Sequence, residues 1–219
     1  MNDLLSNISE KPIGYYDGTR DDMLKYIPEG VKKSLDLGCG TGGFSSLLRE
    51  KLNIETWAIE INEKAAEKAA SKLDKVIFGD ATESLTKIPD NYFDCIILFD
   101  IIEHLNDPYT MLNSIKTKLS DTGVVVASIP NIRYYRTFIQ LVIHGNWDYK
   151  DQGVLDRTHL RFFTKKSIVK MFNSLNYSII KMEGIHPTSS KNFRILNAIL
   201  LNFIADVKFK HFVIVAQPR

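Results

Sequence analysis

The stretch Ser34–Gly43, S-L-D-L-G-C-G-T-G-G, has the spacing of a loop built to receive an anionic or zwitterionic ligand. Gly38, Gly40 and Gly43 satisfy G-x-G-x-x-G behind a short apolar run, and Glu60 stands near the distance expected of an acid that binds ribose hydroxyls. The same residues satisfy a second pattern, in which Asp36 precedes Gly38, Gly40 and Gly42. Asp36 helps separate the two. A pyrophosphate at a helix N-terminus is already dianionic, and a carboxylate at the strand tip works against it. A ligand carrying an ammonium and a sulfonium favours that carboxylate, while its own carboxylate still takes the N–H groups of the loop.

A second set of residues has the chemistry of proton transfer. His104 lies in I-I-E-H-L, four residues after Asp100, and His159 lies in D-R-T-H-L-R-F-F-T, Asp156–Thr164. Each is a candidate general base for a hydroxyl acceptor, and each has a plain role as a packing or turn residue. Thr164 is the expected N-cap of a following helix. Glu103 and His104 are adjacent, so on a helix they would not converge on one ion. Cys39 and Cys95 have no metal-ligand spacing, and no metal is expected.

The elements that position these residues follow from short apolar runs alternating with amphipathic ones. S-L-D-L, T-W-A-I, K-V-I-F, F-D-C-I-I-L-F and G-V-V-V-A-S-I read as strands. Helices are predicted over F-S-S-L-L-R-E-K-L, over N-E-K-A-A-E-K-A-A-S-K-L with Asn62 as N-cap, and over Pro108–Leu119. The alternation predicts an α/β fold: a doubly wound, Rossmann-like, seven-stranded and mostly parallel sheet with helices on both faces. After Ile129 the rhythm breaks, and residues 130–163 have no clear period. Ligands of such sheets bind at the carboxyl ends of strands, so this insertion is placed as an acceptor lid. A helix over Thr164–Leu175 and strands over Ser178–Met182 and His211–Ala216 complete a single domain over 1–219.

In this order, D-L-G-C-G-T-G, W-A-I-E, F-G-D-A and F-D-C-I-I-L-F-D-I-I-E-H-L resemble the four motifs of class I S-adenosylmethionine-dependent methyltransferases. The resemblance runs from about Tyr15 to Ala216. It implies S-adenosylmethionine as cofactor, with Asp36, Gly38, Gly40 and Gly42 forming the loop and Glu60 and Ile61 at the ribose. Asp80 and Ala81 would take the adenine, and Asp100 and Ile101 would line the cofactor and face the acceptor. Y-Y-D-G-T-R-D-D-M-L is similar to a segment of helices (residues 1–30) that covers the methionine end, where Tyr15 and Arg20 would contact the cofactor. P-N-I-R-Y-Y-R with G-V-L-D-R-T-H-L-R-F-F-T resembles a bacterial subgroup found with glycosyltransferases and surface-polysaccharide pathways. That resemblance implies O-methylation of a sugar or lipid-linked glycan intermediate. Alternatives are a quinone-type phenol, an RNA base, or a cofactor-binding module without catalysis.

The bulk composition fits this picture. The chain has 219 residues, a hydrophobic fraction of 44%, a charged fraction of 25% and a net charge of +2, which implies no overall attraction to nucleic acid. The N/D-P-P-Y/F text of amino-methylating members does not follow the fourth strand. From Asn131 to Lys170, however, eight basic side chains stand against three aspartates, interleaved with aromatics. Aromatic faces and arginine forks suit an anionic sugar, with Arg133, Tyr134, Arg157 and Arg161 as the candidate acceptor contacts. Met1–Lys11 is too polar for a signal peptide and Ile195–Val207 too short for a membrane span, so a cytoplasmic protein is expected. The apolar segment within 184–209 is expected to pack internally or at a homodimer contact.

Overall fold

The computed structural model describes residues 17–219, and Tyr15 lies outside them. Strands β1 (Lys33–Leu37), β2 (Glu55–Glu60), β3 (Lys75–Phe78), β4 (Phe93–Phe99), β5 (Leu119–Pro130), β6 (Tyr177–Pro187) and β7 (Phe209–Pro218) form one sheet in the order β3-β2-β1-β4-β5-β7-β6. Pairing is parallel from β3 across to β5, and β7 runs antiparallel between β5 and β6. This is the sheet expected from the sequence.

Its strands are apolar throughout because both faces are covered. Along β4, Ile96 and Leu98 enter a core with Leu35, Leu37, Val125 and Ala127, closed by Leu112 of helix α4 (Pro108–Ser114) and Phe172 of α6 (Lys165–Ser174). Cys95 and Ile97 point the other way, to Met23, Tyr26, and Phe44 and Leu48 of α1 (Gly43–Leu52). Truncating a fully buried ring such as Phe172 to Ala removes roughly 3–5 kcal/mol.

Short polar side chains set where helices begin. Asn62 accepts the N–H of Ala65 at the start of α2 (Glu63–Ala70), and Asp80 accepts those of Thr82 and Glu83 at α3 (Ala81–Ser84). Thr164 and Ser167 form a capping box on α6, so the end of the Asp156–Thr164 stretch is a helix start.

Three elements differ from expectation. The helix predicted to Leu119 leaves α geometry at Ser114 and finishes as a tighter turn over Ile115–Lys118. The insertion contains a helix, α5 (Tyr135–Val142), whose aromatic and β-branched content hid its period. The apolar segment within 184–209 is not one element but α7 (Lys191–Ile199), a turn, and a 3-10 helix over Ala205–Lys208. The break falls at Leu201 and Asn202, both at positive φ. It folds the segment back so that Phe193, Ile204 and Val207 pack together beside Tyr135 and Phe138. No helix among the described residues is long and apolar enough to cross a membrane.

Candidate active site

The chain reverses its strand order between β1 and β4, and the carboxyl ends of the strands there open into a cavity of about 760 Å³. Asp36, Gly38, Gly40, Glu60, Ile61, Asp80, Ala81, Asp100 and Ile101 all line it, as does Arg20. Gly38 sits at φ +74, a left-handed conformation that demands glycine, and a Cβ there would displace the tip of the Ile101 side chain. Gly42 stands outside the cavity wall, where it starts α1 at φ +76 against Ala69.

The acids at the strand tips are held in different states. Asp36 is buried and accepts the Ser45 hydroxyl at 2.7 Å. Burial raises its carboxyl to about 7, against the lowering effect of that hydrogen bond, and the neighbouring charge of Glu60 adds to the rise. Glu60 accepts the N–H groups of Gly40 and Asn62, each at 2.8 Å, and burial pushes its carboxyl up. The glycine loop and the Glu60 carboxylate are therefore tied to each other. A zwitterion with an ammonium group suits Asp36, and a ribose diol suits Glu60, so the residues fit S-adenosylmethionine.

Asp100 follows β4 at φ +55, a conformation that an aspartate adopts at a cost. Its carboxylate pairs with Arg20 and accepts the Ser128 hydroxyl at 2.7 Å. Burial would raise it, but the charges of Arg20 and His211 and these bonds hold it down at about 2. Arg20 also donates to Ser128 and lies over Phe99. It lines the cavity with its guanidinium engaged by Ser128 and Asp100.

Past Asp100 the chain makes a 3-10 turn over Ile102–His104. The insertion returns against it: Leu160 and Arg161 donate their N–H groups to the Glu103 carbonyl, and the His104 ring bonds through Nδ1 to the Thr158 carbonyl at 3.1 Å. His159 bonds through Nδ1 to the Val154 carbonyl, and its Nε2 faces Glu103 Oε1 at 3.9 Å. Asp156 shapes this return by accepting both the N–H and the hydroxyl of Thr158. The two imidazoles meet edge to face, 4.7 Å between centroids, and with Glu103 they line the cavity. Their donor atoms and that of Glu103 lie within 4.8 Å of one another. Adjacent in the 3-10 turn, Glu103 and His104 nevertheless present donor atoms to one place, where His159 arrives from the insertion.

The insertion divides in two. Gln152, Gly153 and His159 close over the cavity, whereas α5 packs on the 193–207 segment. The four predicted acceptor contacts all lie outside the cavity wall. Arg133 pairs with Asp206 at 2.9 Å, and Arg157 with Asp151 at 2.8 Å. Arg161 donates to the Asn106 carbonyl, and Tyr134 precedes α5. Trp147 meets Phe162 edge to face. Arg157 finds its partner within the insertion, whereas Arg133 and Arg161 are engaged by groups outside it, which no local pattern reveals.

Two cavity residues have no strong signal in the sequence. His211, on β7, brings Nε2 to 3.9 Å from Asp100, and burial lowers its ring to about 4 despite that carboxylate. His186, at φ +50 on β6, approaches His211 at 3.4 Å. The cue was a histidine opening the final strand, H-F-V-I-V-A, whose partners depend on antiparallel register.

A methyltransferase-domain family model matches residues 13–182, most of the chain. A ubiquinone biosynthesis O-methyltransferase of Actinobacillus pleuropneumoniae is 25% identical over 214 residues, 92% of this chain and 91% of that protein. An uncharacterised Haemophilus influenzae protein is 31% identical over 57% of this chain and 49% of its own length. An S-adenosylmethionine-dependent methyltransferase from Archaeoglobus fulgidus superposes with a TM-score of 0.69 at 23% identity, covering 89% of this chain and 90% of that one. One from Methanosarcina mazei gives 0.62 at 17%, covering 90% and 97%. These matches agree with the strand-tip acids and the glycine loop: the chain belongs to the methyltransferase-domain family and is a class I methyltransferase that uses S-adenosylmethionine.

Proposed function

We propose that this enzyme methylates a hydroxyl oxygen of an uncharged small acceptor, with a phenol of the quinone-precursor type preferred over a sugar. The observation that carries the reading is the His104–His159 pair in the cavity wall beyond Asp100. Bound S-adenosylmethionine supplies an electrophilic methyl, so the acceptor oxygen bonds to carbon while the carbon–sulfur electron pair returns to sulfur.

The chain's own part is to hold the acceptor and take its proton. Arg20, Asp36, Gly38, Gly40, Glu60, Ile61, Asp80, Ala81, Asp100 and Ile101 are the residues of the cavity that would hold the cofactor. Burial and the neighbouring His159 ring lower His104 to about 4, so it is neutral and able to accept a proton. With Nδ1 donating to a carbonyl, a neutral His104 or His159 carries its lone pair on Nε2. Much of the acceleration comes from holding the oxygen in line with the methyl.

Two further observations support a neutral acceptor. The side chains expected to bind an anionic sugar stand outside the cavity, and Arg20, which lines it, is paired with Asp100. The ubiquinone biosynthesis O-methyltransferase matches along nearly its whole length. A screen of phenols, nucleotide sugars and RNA for the gain of one methyl mass tests the proposal. A product among the phenols supports it, a nucleotide-sugar product restores the glycan reading, and a product in RNA alone overturns the acceptor class.

A further inference from the structure

We propose that Glu103, His104 and His159 form a binding site for a divalent transition-metal cation of the zinc type, set between the acceptor end of the cavity and the returning insertion. Two imidazoles and one carboxylate are a recurrent donor set for such ions, and their donor atoms here lie within 4.8 Å of one another.

Three independent features point to an ion. Both carboxylate oxygens of Glu103 are buried without a hydrogen-bond partner, in a side chain 1% exposed. An acid so placed normally finds donors, because leaving it without them is costly. Each imidazole, moreover, is fixed through Nδ1 by a backbone carbonyl, Thr158 for His104 and Val154 for His159. A carbonyl only accepts, so Nδ1 carries the hydrogen and Nε2 the lone pair, which is how outer partners prepare histidine ligands. Finally, all three residues line the cavity, so a cation held by them has open positions for an acceptor oxygen.

Bonds of about 2.1 Å place donors roughly 3 to 3.5 Å apart in tetrahedral or octahedral sites, so loading would draw the three side chains together. The nitrogen-rich set disfavours magnesium, which prefers oxygen ligands. In the loaded form a cation would bind the acceptor oxygen and acidify its hydroxyl, whose proton would pass to solvent water, whereas in the ion-free form the imidazoles serve as the base. His159 belongs to the insertion and the other two to the turn after β4, so the same ion would clamp the insertion over the cavity.

The proposal rests on the donor geometry and not on the identity of the acceptor, so its test reads binding without turnover. Chelator-treated full-length protein is titrated calorimetrically with zinc, and separately with magnesium. One equivalent of zinc should bind, and Glu103→Gln and His159→Ala should each weaken it at least about tenfold while His144→Ala does not. Cobalt added to the unaltered chain should shift the resonances of two imidazole rings, a readout that needs no variant to fold. Absence of zinc binding, binding unchanged in Glu103→Gln and His159→Ala, or no shifted imidazole resonance would overturn the site. Any of those results leaves methyl transfer with a histidine base standing.

Discussion

The rings of His104 and His159 meet edge to face with centroids 4.7 Å apart, one carried by the turn after β4 and the other by the insertion after β5. They are parts of one constellation rather than competing candidates. Replacing either by Ala should lower kcat by about 100-fold, within the range of a general base, and replacing both should cost scarcely more. Cofactor affinity should be retained. Multiplying losses in the double variant, measured by steady-state kinetics, would show that the rings act separately.

Asp36 gives the cofactor site a pH dependence. In the free protein its carboxyl titrates at about 7, and its charged form is the one that suits an ammonium. Above that pH cofactor affinity should be flat, and below it affinity should fall by up to about tenfold per pH unit, because binding must then expel a proton. Asp36→Asn should bind weakly at every pH. The stability effect runs the other way. A carboxyl raised by folding is favoured protonated, so its contribution falls as pH rises from about 4 towards 7. The ligand-free Asn variant should therefore gain on wild type over that window, and calorimetry with thermal melts across pH checks both signs.

Gly38→Ala should lose cofactor binding and about 1–3 kcal/mol of stability, since φ is +74. Gly18→Ala is the control, because nothing lies within 4 Å of its added Cβ. Equal melting temperatures for the two variants would mean that the loop does not need this conformation.

Arg157 is an exposed partner of Asp151, and Arg133 ties the end of β5 to Asp206. Arg157→Ala should change neither stability nor acceptor KM by a measurable amount. Arg133→Ala should lower the melting temperature with KM unchanged. A rise in acceptor KM in either variant would return these side chains to the acceptor site.

The fold was legible because each central strand is a nearly unbroken apolar run closed by a small or acidic residue. Asp36, Glu60, Asp80 and Asp100 fall at successive strand tips, so their register could be read from the text. What could not be read depends on contacts between distant segments. Glu103 and His104 share a site with His159 because Thr158 and Leu160 bond to the turn that carries them. His211 reaches Asp100 through the antiparallel pairing of β7 with β5. The arginines of the insertion suggested an anionic acceptor until Asp206, Asp151 and the Asn106 carbonyl appeared beside them.

The most direct test of O-methyl transfer uses S-adenosylmethionine labelled with carbon-13 at its methyl, incubated with the enzyme and the phenol that gains mass. The label should appear in the product at a carbon shift typical of a methyl on oxygen, and only when both cofactor and enzyme are present. A label on nitrogen or on ring carbon, or none in any acceptor while the cofactor stays bound, would contradict the account.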